Sequence, residues 1–338
     1  MTAALLLFMP NLVWAHPCDD NYTEQQDRES CWWRYWNNQS IPQDLVQPDD
    51  QQVDNQAVAP PPPPQTMPPS SPSGSGEVGP SATFTSVSAG WDHTCGMRTD
   101  GALACWGKND FGQTLPPDGA FASVSAGWGH TCGMRTDGTL ACWGRDNYGQ
   151  TAVPTPTPTV VSVSAGWEHA CEAGPCWRAG VSGNARMRAT FTSISSGWGH
   201  ACGIRTDGTV ACWGKNDFGQ ASPPDDAFIT ISAGGCHTCG IRPDDTLVCW
   251  GRNDNRQARV PDGTFVAVSG GWAHTCGIRT NGTLVCWGKN DFGQAWSPDG
   301  AFVAVSSGWA HTCGMRPDGT LVCWGDNYDG QASPPGGT

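Results

Sequence analysis

The chain is poor in basic residues. It has 18 Lys and Arg against 31 Asp and Glu, which gives a net charge of −13 at pH 7. Nine of the acids lie within residues 16–60, where only two arginines oppose them. Nowhere do basic residues form the stripe that DNA or nucleosome binding requires. The sequence therefore argues against nucleic acid as a partner.

Long apolar runs and helical periodicity are also missing. The longest apolar stretch lies within residues 1–15 and is too short to span a bilayer, so we expect no membrane span. It has the features of a secretory signal peptide, apart from a basic start, with Val13-x-Ala15 as the cleavage site. Elsewhere apolar and small polar residues alternate, as in Phe84-Thr85-Ser86-Val87-Ser88, which is typical of half-buried strands. This pattern predicts a secreted, all-β protein.

Catalytic constellations are missing as well. The sequence has no Ser-His-Asp set, paired-carboxylate site or phosphate-binding loop. Asp110-Phe111-Gly112 resembles a kinase triplet, but the Lys, Glu and catalytic loop of a kinase are missing, so we expect a turn there. The recurring spacing of ten between cysteines fits no common zinc motif. We therefore expect no enzyme activity, no cofactor and no metal site.

What the chain does contain is one motif of about 37 residues, repeated seven times. In the first copy, strands are expected at residues 84–88, 93–98, 102–106 and 113–116. Four short strands in each of seven copies predict a seven-bladed β-propeller. The third copy is expected to be shortened, because only four residues separate Cys171 from Cys176.

The cysteines follow the same repeat. Thr99-Asp100-Gly101 predicts a three-residue hairpin loop with Gly101 in the left-handed conformation, which places Cys95 opposite Cys105. The predicted disulfides are Cys95–Cys105, Cys132–Cys142, Cys171–Cys176, Cys202–Cys212, Cys239–Cys249, Cys276–Cys286, Cys313–Cys323 and Cys18–Cys31. Cys236 is left either free or paired outside its hairpin. Seventeen cysteines favour an oxidising, extracellular or periplasmic compartment.

Composition divides the chain into four parts. Residues 1–15 are the expected signal peptide, and residues 16–46 form an acidic, Trp-rich segment with two cysteines. That segment is either an arm whose aromatic residues dock elsewhere or a short helical recognition element. Residues 47–82 are rich in Pro, Ser and Gly and form a linker. Residues 83–338 form the propeller.

The repeat resembles that of the regulator of chromosome condensation family. The shared pattern is Gly-x-x-His-Thr, then Asp-Gly, then Trp-Gly-x-Asn-x-x-Gly-Gln, and it extends over residues 84–335. The resemblance implies a seven-bladed propeller, in agreement with the count of repeats. The paired cysteines are similar to the secreted and receptor-ectodomain branch of that family. Charge and export both argue against the nuclear exchange-factor role known in the family.

Two sets of tryptophans and one set of histidines recur. Tryptophans that follow Cys are expected to pack between blades: Trp106, Trp143, Trp177, Trp213, Trp250, Trp287 and Trp324. Tryptophans that follow Gly form either a binding surface on one face or packing over the central channel: Trp91, Trp128, Trp167, Trp198, Trp272 and Trp309. For the histidines we expect a repeated hydrogen bond that caps the backbone: His93, His130, His169, His200, His237, His274 and His311.

These observations predict a secreted, non-catalytic, monomeric module that binds a protein partner through a Trp-bearing face. One alternative is a lectin-like propeller whose tryptophans stack on sugars. Another is a passive extracellular scaffold that the linker presents.

Overall fold

A computed structural model describes residues 82–147, 149–153, 163–166, 170–172, 176–177 and 191–335. The predictions made for the signal peptide, for residues 16–46 and for the linker up to residue 81 lie outside these residues. The predicted Cys18–Cys31 bridge lies outside them too. In the described part, the chain forms strands only, grouped into seven three-stranded antiparallel sheets. Each sheet corresponds to one sequence repeat and is called a blade here.

The strands follow one another in the same order in every blade. Blades 1 to 4 comprise β1 (Phe84–Ala89), β2 (His93–Arg98), β3 (Leu103–Gly107), β4 (Phe121–Ala126), β5 (His130–Arg135), β6 (Leu140–Gly144), β7 (Val163–Ala165), β8 (Ala170–Glu172), β9 (Cys176–Trp177), β10 (Phe191–Ser196), β11 (His200–Arg205) and β12 (Val210–Gly214). Blades 5 to 7 comprise β13 (Thr230–Ala233), β14 (His237–Ile241), β15 (Leu247–Gly251), β16 (Phe265–Gly270), β17 (His274–Arg279), β18 (Leu284–Gly288), β19 (Ala304–Ser307), β20 (His311–Met315) and β21 (Leu321–Gly325).

The hairpin of each blade has the register that its turn predicts. In blade 1, Cys95 lies opposite Cys105, and the loop between their strands holds Gly101 at φ 83°. Six predicted disulfides are confirmed, with Cα atoms 4.0–4.1 Å apart: Cys95–Cys105, Cys132–Cys142, Cys202–Cys212, Cys239–Cys249, Cys276–Cys286 and Cys313–Cys323. Blade 3 is shortened as expected. Its backbone places Cys171 opposite Cys176, but their predicted bridge lies outside the described side chains.

A ring of serine hydroxyls joins the first strands of neighbouring blades. Each hydroxyl accepts a hydrogen bond of 2.8–2.9 Å from a backbone N–H of the next blade. The donor and acceptor residues are Ala126 and Ser88, Ala165 and Ser125, Ser196 and Ser164, Ala233 and Ser195, Gly270 and Ser232, Ser307 and Ser269, and Ala89 and Ser306. The last pair joins blade 1 to blade 7. The seven sheets therefore form a closed propeller.

In five places, a blade is also fastened to the next by the loop that follows it. Gln113 after blade 1 is buried, and its carbonyl oxygen accepts hydrogen bonds from Trp143 Nε1 (2.9 Å) and Thr131 Oγ1 (3.0 Å) of blade 2. Gln331 after blade 7 makes the same bonds to Trp106 and Thr94 of blade 1. Five of the tryptophans that follow Cys thus pack between blades, as expected: Trp106, Trp143, Trp250, Trp287 and Trp324.

The predicted fourth strand is wrong. Residues 113–116 form turns and loop instead of a strand. The reason lies in the hydrogen bonds of the segment: the Gln113 carbonyl is used by two side chains of the next blade, and Asn109 Oδ1 accepts from the N–H of Thr114 (3.1 Å). These bonds take backbone groups that a ladder on β3 would need.

Candidate functional site

The Gly-Trp segments that end the first strands meet at the propeller axis. The N–H of Trp91 donates to Gly127 O (3.1 Å), and the N–H of Trp309 donates to Gly90 O (3.2 Å), which closes this ring between blades 7 and 1. A Cβ added to Gly127 would lie against Gly166 O and 2.8 Å from His130 Cε1, so glycine is required there. The segments surround a cavity of about 100 Å³ on the axis.

Four tryptophans pack on one another over this cavity. Trp91 stacks on Trp309 with ring centroids 5.1 Å apart and an interplanar angle of 9°. Trp272 meets Trp91 edge-on at 5.2 Å and Trp198 at 4.9 Å. All four side chains are half-buried, so part of each ring faces solvent. We call Trp91, Trp198, Trp272 and Trp309 the tryptophan cluster.

Of the other two predicted binding tryptophans, Trp128 also lines the axial cavity. Trp128 is half-buried and has the guanidinium of Arg145 over its ring, 4.0 Å from the centroid. Trp167 lies outside the described residues. The structure thus brings four of the six residues into mutual contact.

The cluster depends on a gap in blade 5, where Gly235 replaces the repeated Trp. A Cβ added to Gly235 would lie against Trp272 O and 2.9 Å from Trp272 Cε3. Because glycine leaves this space free, the Trp272 ring reaches across blade 5 to Trp198. The substitution in the fifth repeat therefore shapes the cluster.

Cations beside the tryptophans were missed by the sequence reasoning. Besides the Arg145 contact with Trp128, Lys215 Nζ lies 4.4 Å from the centroid of Trp198. Both cations directly follow the Trp-Gly pair that ends the third strand of their blade. Their backbone N–H groups donate to the carbonyl of the residue that follows Gly-Trp in the same blade, which is Gly129 for Arg145 and Gly199 for Lys215. A basic residue recurs at this position in five blades, which was the available clue: Lys108, Arg145, Lys215, Arg252 and Lys289.

The Asn-Asp-Phe loops add exposed aromatic residues to the same face. Phe111, Phe218 and Phe292 are 46%, 41% and 42% exposed, and Tyr328 of blade 7 is 92% exposed. Phe292 lies 6.0 Å from the ring of Trp309, and Phe111 lies beside Arg145. We call the tryptophan cluster together with Trp128 and these four aromatic residues the tryptophan face.

One carboxyl at this face has a strongly shifted pKa. Burial raises the pKa of Asp92 to about 7, and Lys108, whose Nζ lies 3.9 Å from the carboxylate, opposes that shift. Asp329 lies in the same electrostatic environment, and burial raises its pKa too. The seam between blades 1 and 7 therefore carries acids that resist ionisation.

The expected backbone cap by histidine is wrong, because the imidazole bonds to the neighbouring blade. His237 Nε2 lies 2.8 Å from Thr275 Oγ1, whose hydroxyl donates to Gln257 O (2.8 Å). Since the hydroxyl has one proton and gives it to the carbonyl, Nε2–H must donate to Thr275 Oγ1. The same relay is formed by His93, His200, His274 and His311. These histidines therefore form buried hydrogen bonds between neighbouring blades. His169 lies outside the described residues.

Cys236 is the free cysteine of the described residues, and it is buried. Burial raises the pKa of its thiol, which disfavours the reactive thiolate.

Among the described side chains, no group of three or more His, Cys, Asp or Glu is placed to hold a metal ion.

Six of the seven repeats match the family described as the Regulator of chromosome condensation (RCC1) repeat. The matched residues are 84–113, 121–150, 191–220, 228–257, 265–294 and 302–331. Together they make up more than half of the chain. The unmatched repeat is the shortened blade 3.

The fold is similar to that of receptor-kinase ectodomains. The crystal structure of the CRINKLY WD40 ectodomain from the Arabidopsis thaliana receptor kinase ACR4 is 28% identical with a TM-score of 0.63, and the match covers 75% of this chain and 99% of that one. The entire ectodomain of the Physcomitrella patens receptor kinase CR4 is also 28% identical, with a TM-score of 0.62 and coverage of 72% and 74%. Human WBSCR16, at 15% identity and a TM-score of 0.57 with coverage of 70% and 88%, shares the fold alone.

No curated protein matches the chain. Of the described residues, none form a helix long and apolar enough to cross a membrane.

Proposed function

Because the chain belongs to the regulator of chromosome condensation repeat family, we propose that it is an extracellular, non-catalytic module that binds a protein partner through the tryptophan face. Six disulfides and the similarity to two receptor-kinase ectodomains support the extracellular location. Export through the signal peptide at residues 1–15 is part of the same proposal.

The observation that carries the proposal is the concentration of aromatic side chains on one face. The half-buried tryptophan cluster lies at the axis, and exposed loop aromatics such as Tyr328 surround it. Tryptophan and tyrosine are enriched among the few residues that dominate binding at protein interfaces, because they bury large areas at low entropic cost. The cations over Trp128 and Trp198 hold those rings in fixed orientations.

The absence of catalysis is proposed on chemical grounds. The histidines of the relay are fully buried and bonded to threonine, so they are not available to a substrate. The raised pKa of Asp92 has a structural cause, which is burial at the seam between blades.

The stacking within the cluster also favours a protein over a sugar at this face. A lectin needs open ring faces on which sugar rings can stack. Trp91 and Trp309 instead cover one another at 5.1 Å. The half-buried cluster and the exposed loop aromatics around it together suit a protein partner.

The test is affinity capture from the source's extracellular extract with the full chain as bait, in three versions. The first version is wild type, and the second combines Phe111→Ala, Phe218→Ala and Phe292→Ala. The third is a matched control at the start of the first strands, which is the end opposite to the Gly-Trp segments. It combines Ile229→Ala, Val266→Ala and Val303→Ala, and these residues are 58%, 56% and 55% exposed.

The proposal predicts a protein that wild type and control capture and the loop-aromatic variant loses. In a titration with that purified partner, the loop-aromatic variant should bind at least about tenfold more weakly. Equal binding by all three versions would contradict the proposal.

A further inference from the structure

The loop after blade 5 departs from its counterparts at a strained position. Arg256 has φ 65°, whereas the equivalent residues of five other blades are glycines with φ between 67° and 80°: Gly112, Gly149, Gly219, Gly293 and Gly330. A side chain in the left-handed region costs conformational free energy that glycine does not. A Cβ at Gly112 would meet no atom within 4 Å, so this position offers no packing in return. The strain at Arg256 therefore points to a role towards solvent.

A second arginine is placed on the same turn. The N–H of Arg259 donates to Arg256 O (3.1 Å), and both side chains are exposed. Two other arginines of blade 5 are neutralised, since Arg242 pairs with Asp226 and Arg252 pairs with Asp254, each at 2.7 Å. Neither Arg256 nor Arg259 forms an ion pair with any residue that the structure describes. Blade 5 thus presents two guanidinium groups that have no ion-pair partner among the described residues, in a strongly acidic chain.

Both arginines line a cavity of about 380 Å³ between this loop and blade 6. Its volume is in the range of small-molecule sites, which are about 300–1,000 Å³. Trp287, Asn255 and Asp262 line it as well. The indole N–H of Trp287 is already bonded to Gln257 O (2.9 Å), so that residue offers its apolar ring surface.

We propose that this cavity binds an acidic sugar, that is, a saccharide unit with a carboxylate or sulfate group. The guanidinium groups of Arg256 and Arg259 pair with the anionic group. The Trp287 ring packs against the carbon face of the sugar, while Asn255 and Asp262 bond to its hydroxyls. The Trp287 ring favours a sugar over an acidic peptide, because a sugar has a flat carbon face that can pack on an aromatic ring. The site lies in blades 5 and 6 and does not depend on the proposed function of the tryptophan face.

The test is calorimetric titration of the full chain at low salt with four probes. They are an oligogalacturonate, a sulfated disaccharide, a neutral galactose oligomer of matched length, and polyglutamate. The variants are Arg256→Gly, which restores the residue of the other repeats, and Arg259→Ala. Arg98→Ala is the control, because it removes the same charge from the hairpin loop of blade 1.

Wild type and Arg98→Ala should bind at least one acidic probe saturably and the neutral oligomer far more weakly. Each arginine variant should weaken binding about tenfold or more. Arg256→Gly should melt at the same or a higher temperature than wild type, so its loss of binding would not come from unfolding.

Three results would overturn the proposal. The first is no saturable binding of either acidic probe. The second is binding that both arginine variants retain. The third is equally tight, arginine-dependent binding of polyglutamate, which would assign the cavity to an acidic peptide instead.

Discussion

At the scale of single residues, a relay from histidine through threonine to a glutamine carbonyl joins neighbouring blades at five places. Thr275 illustrates it, since its hydroxyl accepts from His237 and donates to Gln257 O. In blade 4 the equivalent residue is Ala201, and the preceding repeat lacks the Asn-x-x-Gly-Gln segment that would supply the carbonyl. In blade 4 the threonine and its carbonyl partner are thus lost together, whereas blade 3 has Ala170 in place of the threonine although Gln150 precedes it.

Replacing Thr275 by valine should lower the free energy of unfolding by about 1–3 kcal/mol, because the buried His237 N–H loses its acceptor. Chemical denaturation of the full chain measures the loss. Thr275→Ser keeps the hydroxyl and should retain most of the stability. An unchanged Thr275→Val protein would show that the relay is not stabilising.

The same histidines predict acid sensitivity. Burial lowers the pKa of His93, His237, His274 and His311 to about 3 from the usual value of 6.5. Between these values the unfolded chain takes up protons that the folded ring does not. The stabilisation is therefore complete above pH 6.5 and is lost progressively as the pH falls towards 3.

Asp92 acts in the opposite direction, since its pKa is raised to about 7 and the folded state holds the extra proton. The pKa of Asp329 is raised as well, so two carboxyls oppose four histidines, and the melting temperature should fall between pH 6.5 and pH 4. Calorimetric scans across this range test the sign. A melting temperature that stays level or rises towards pH 4 would contradict the buried, neutral histidines.

At the scale of elements, the first strands can approach the axis only because they end in glycine. Gly127→Ala should destabilise the propeller by about 1–3 kcal/mol or more, since its Cβ would overlap Gly166 O and the His130 ring. Gly129→Ala is the control, because its Cβ would lie 3.3 Å or more from other atoms. Thermal unfolding of the two variants distinguishes them, and equal stability would contradict the close packing at the axis.

The hairpins should leave a single thiol in the whole protein. Sixteen of the seventeen cysteines are used by the six disulfides together with the predicted Cys18–Cys31 and Cys171–Cys176 bridges. The remaining cysteine is Cys236. Alkylation under denaturing conditions without reduction, followed by intact mass, should show one label. Five labels would mean that the two predicted bridges are absent. A larger number would contradict the disulfides of the hairpins.

The hairpins could be predicted from the sequence, because residues next to one another in the chain determine them. The structure of residues 113–116 could not, because contacts between repeats determine it. The Thr-Asp-Gly turn determines the hairpin register, so the pairing of Cys95 with Cys105 followed from three adjacent residues. The segment at residues 113–116 has the composition of a strand, but its hydrogen bonds go to the next blade. Such partners are not visible within one repeat.

At the scale of the whole molecule, closure of the ring creates the tryptophan face. Trp91 and Trp309 lie at opposite ends of the propeller sequence and stack only because blade 7 meets blade 1. The recurrence of Gly-Trp predicted that these residues share a face. It could not show which rings touch, since that depends on the gap at Gly235 and on cations from a different strand of each blade.

The central claim is that a protein partner binds this face. Hydrogen–deuterium exchange of the full chain, with and without the captured partner, tests it most directly. We expect slower exchange in the loops at residues 109–113, 216–220 and 290–294 and around Trp91 and Trp309. The hairpin tips at residues 99–101, 206–208 and 280–282 should be unchanged. Protection of those tips, with the tryptophan face unaffected, would contradict the claim.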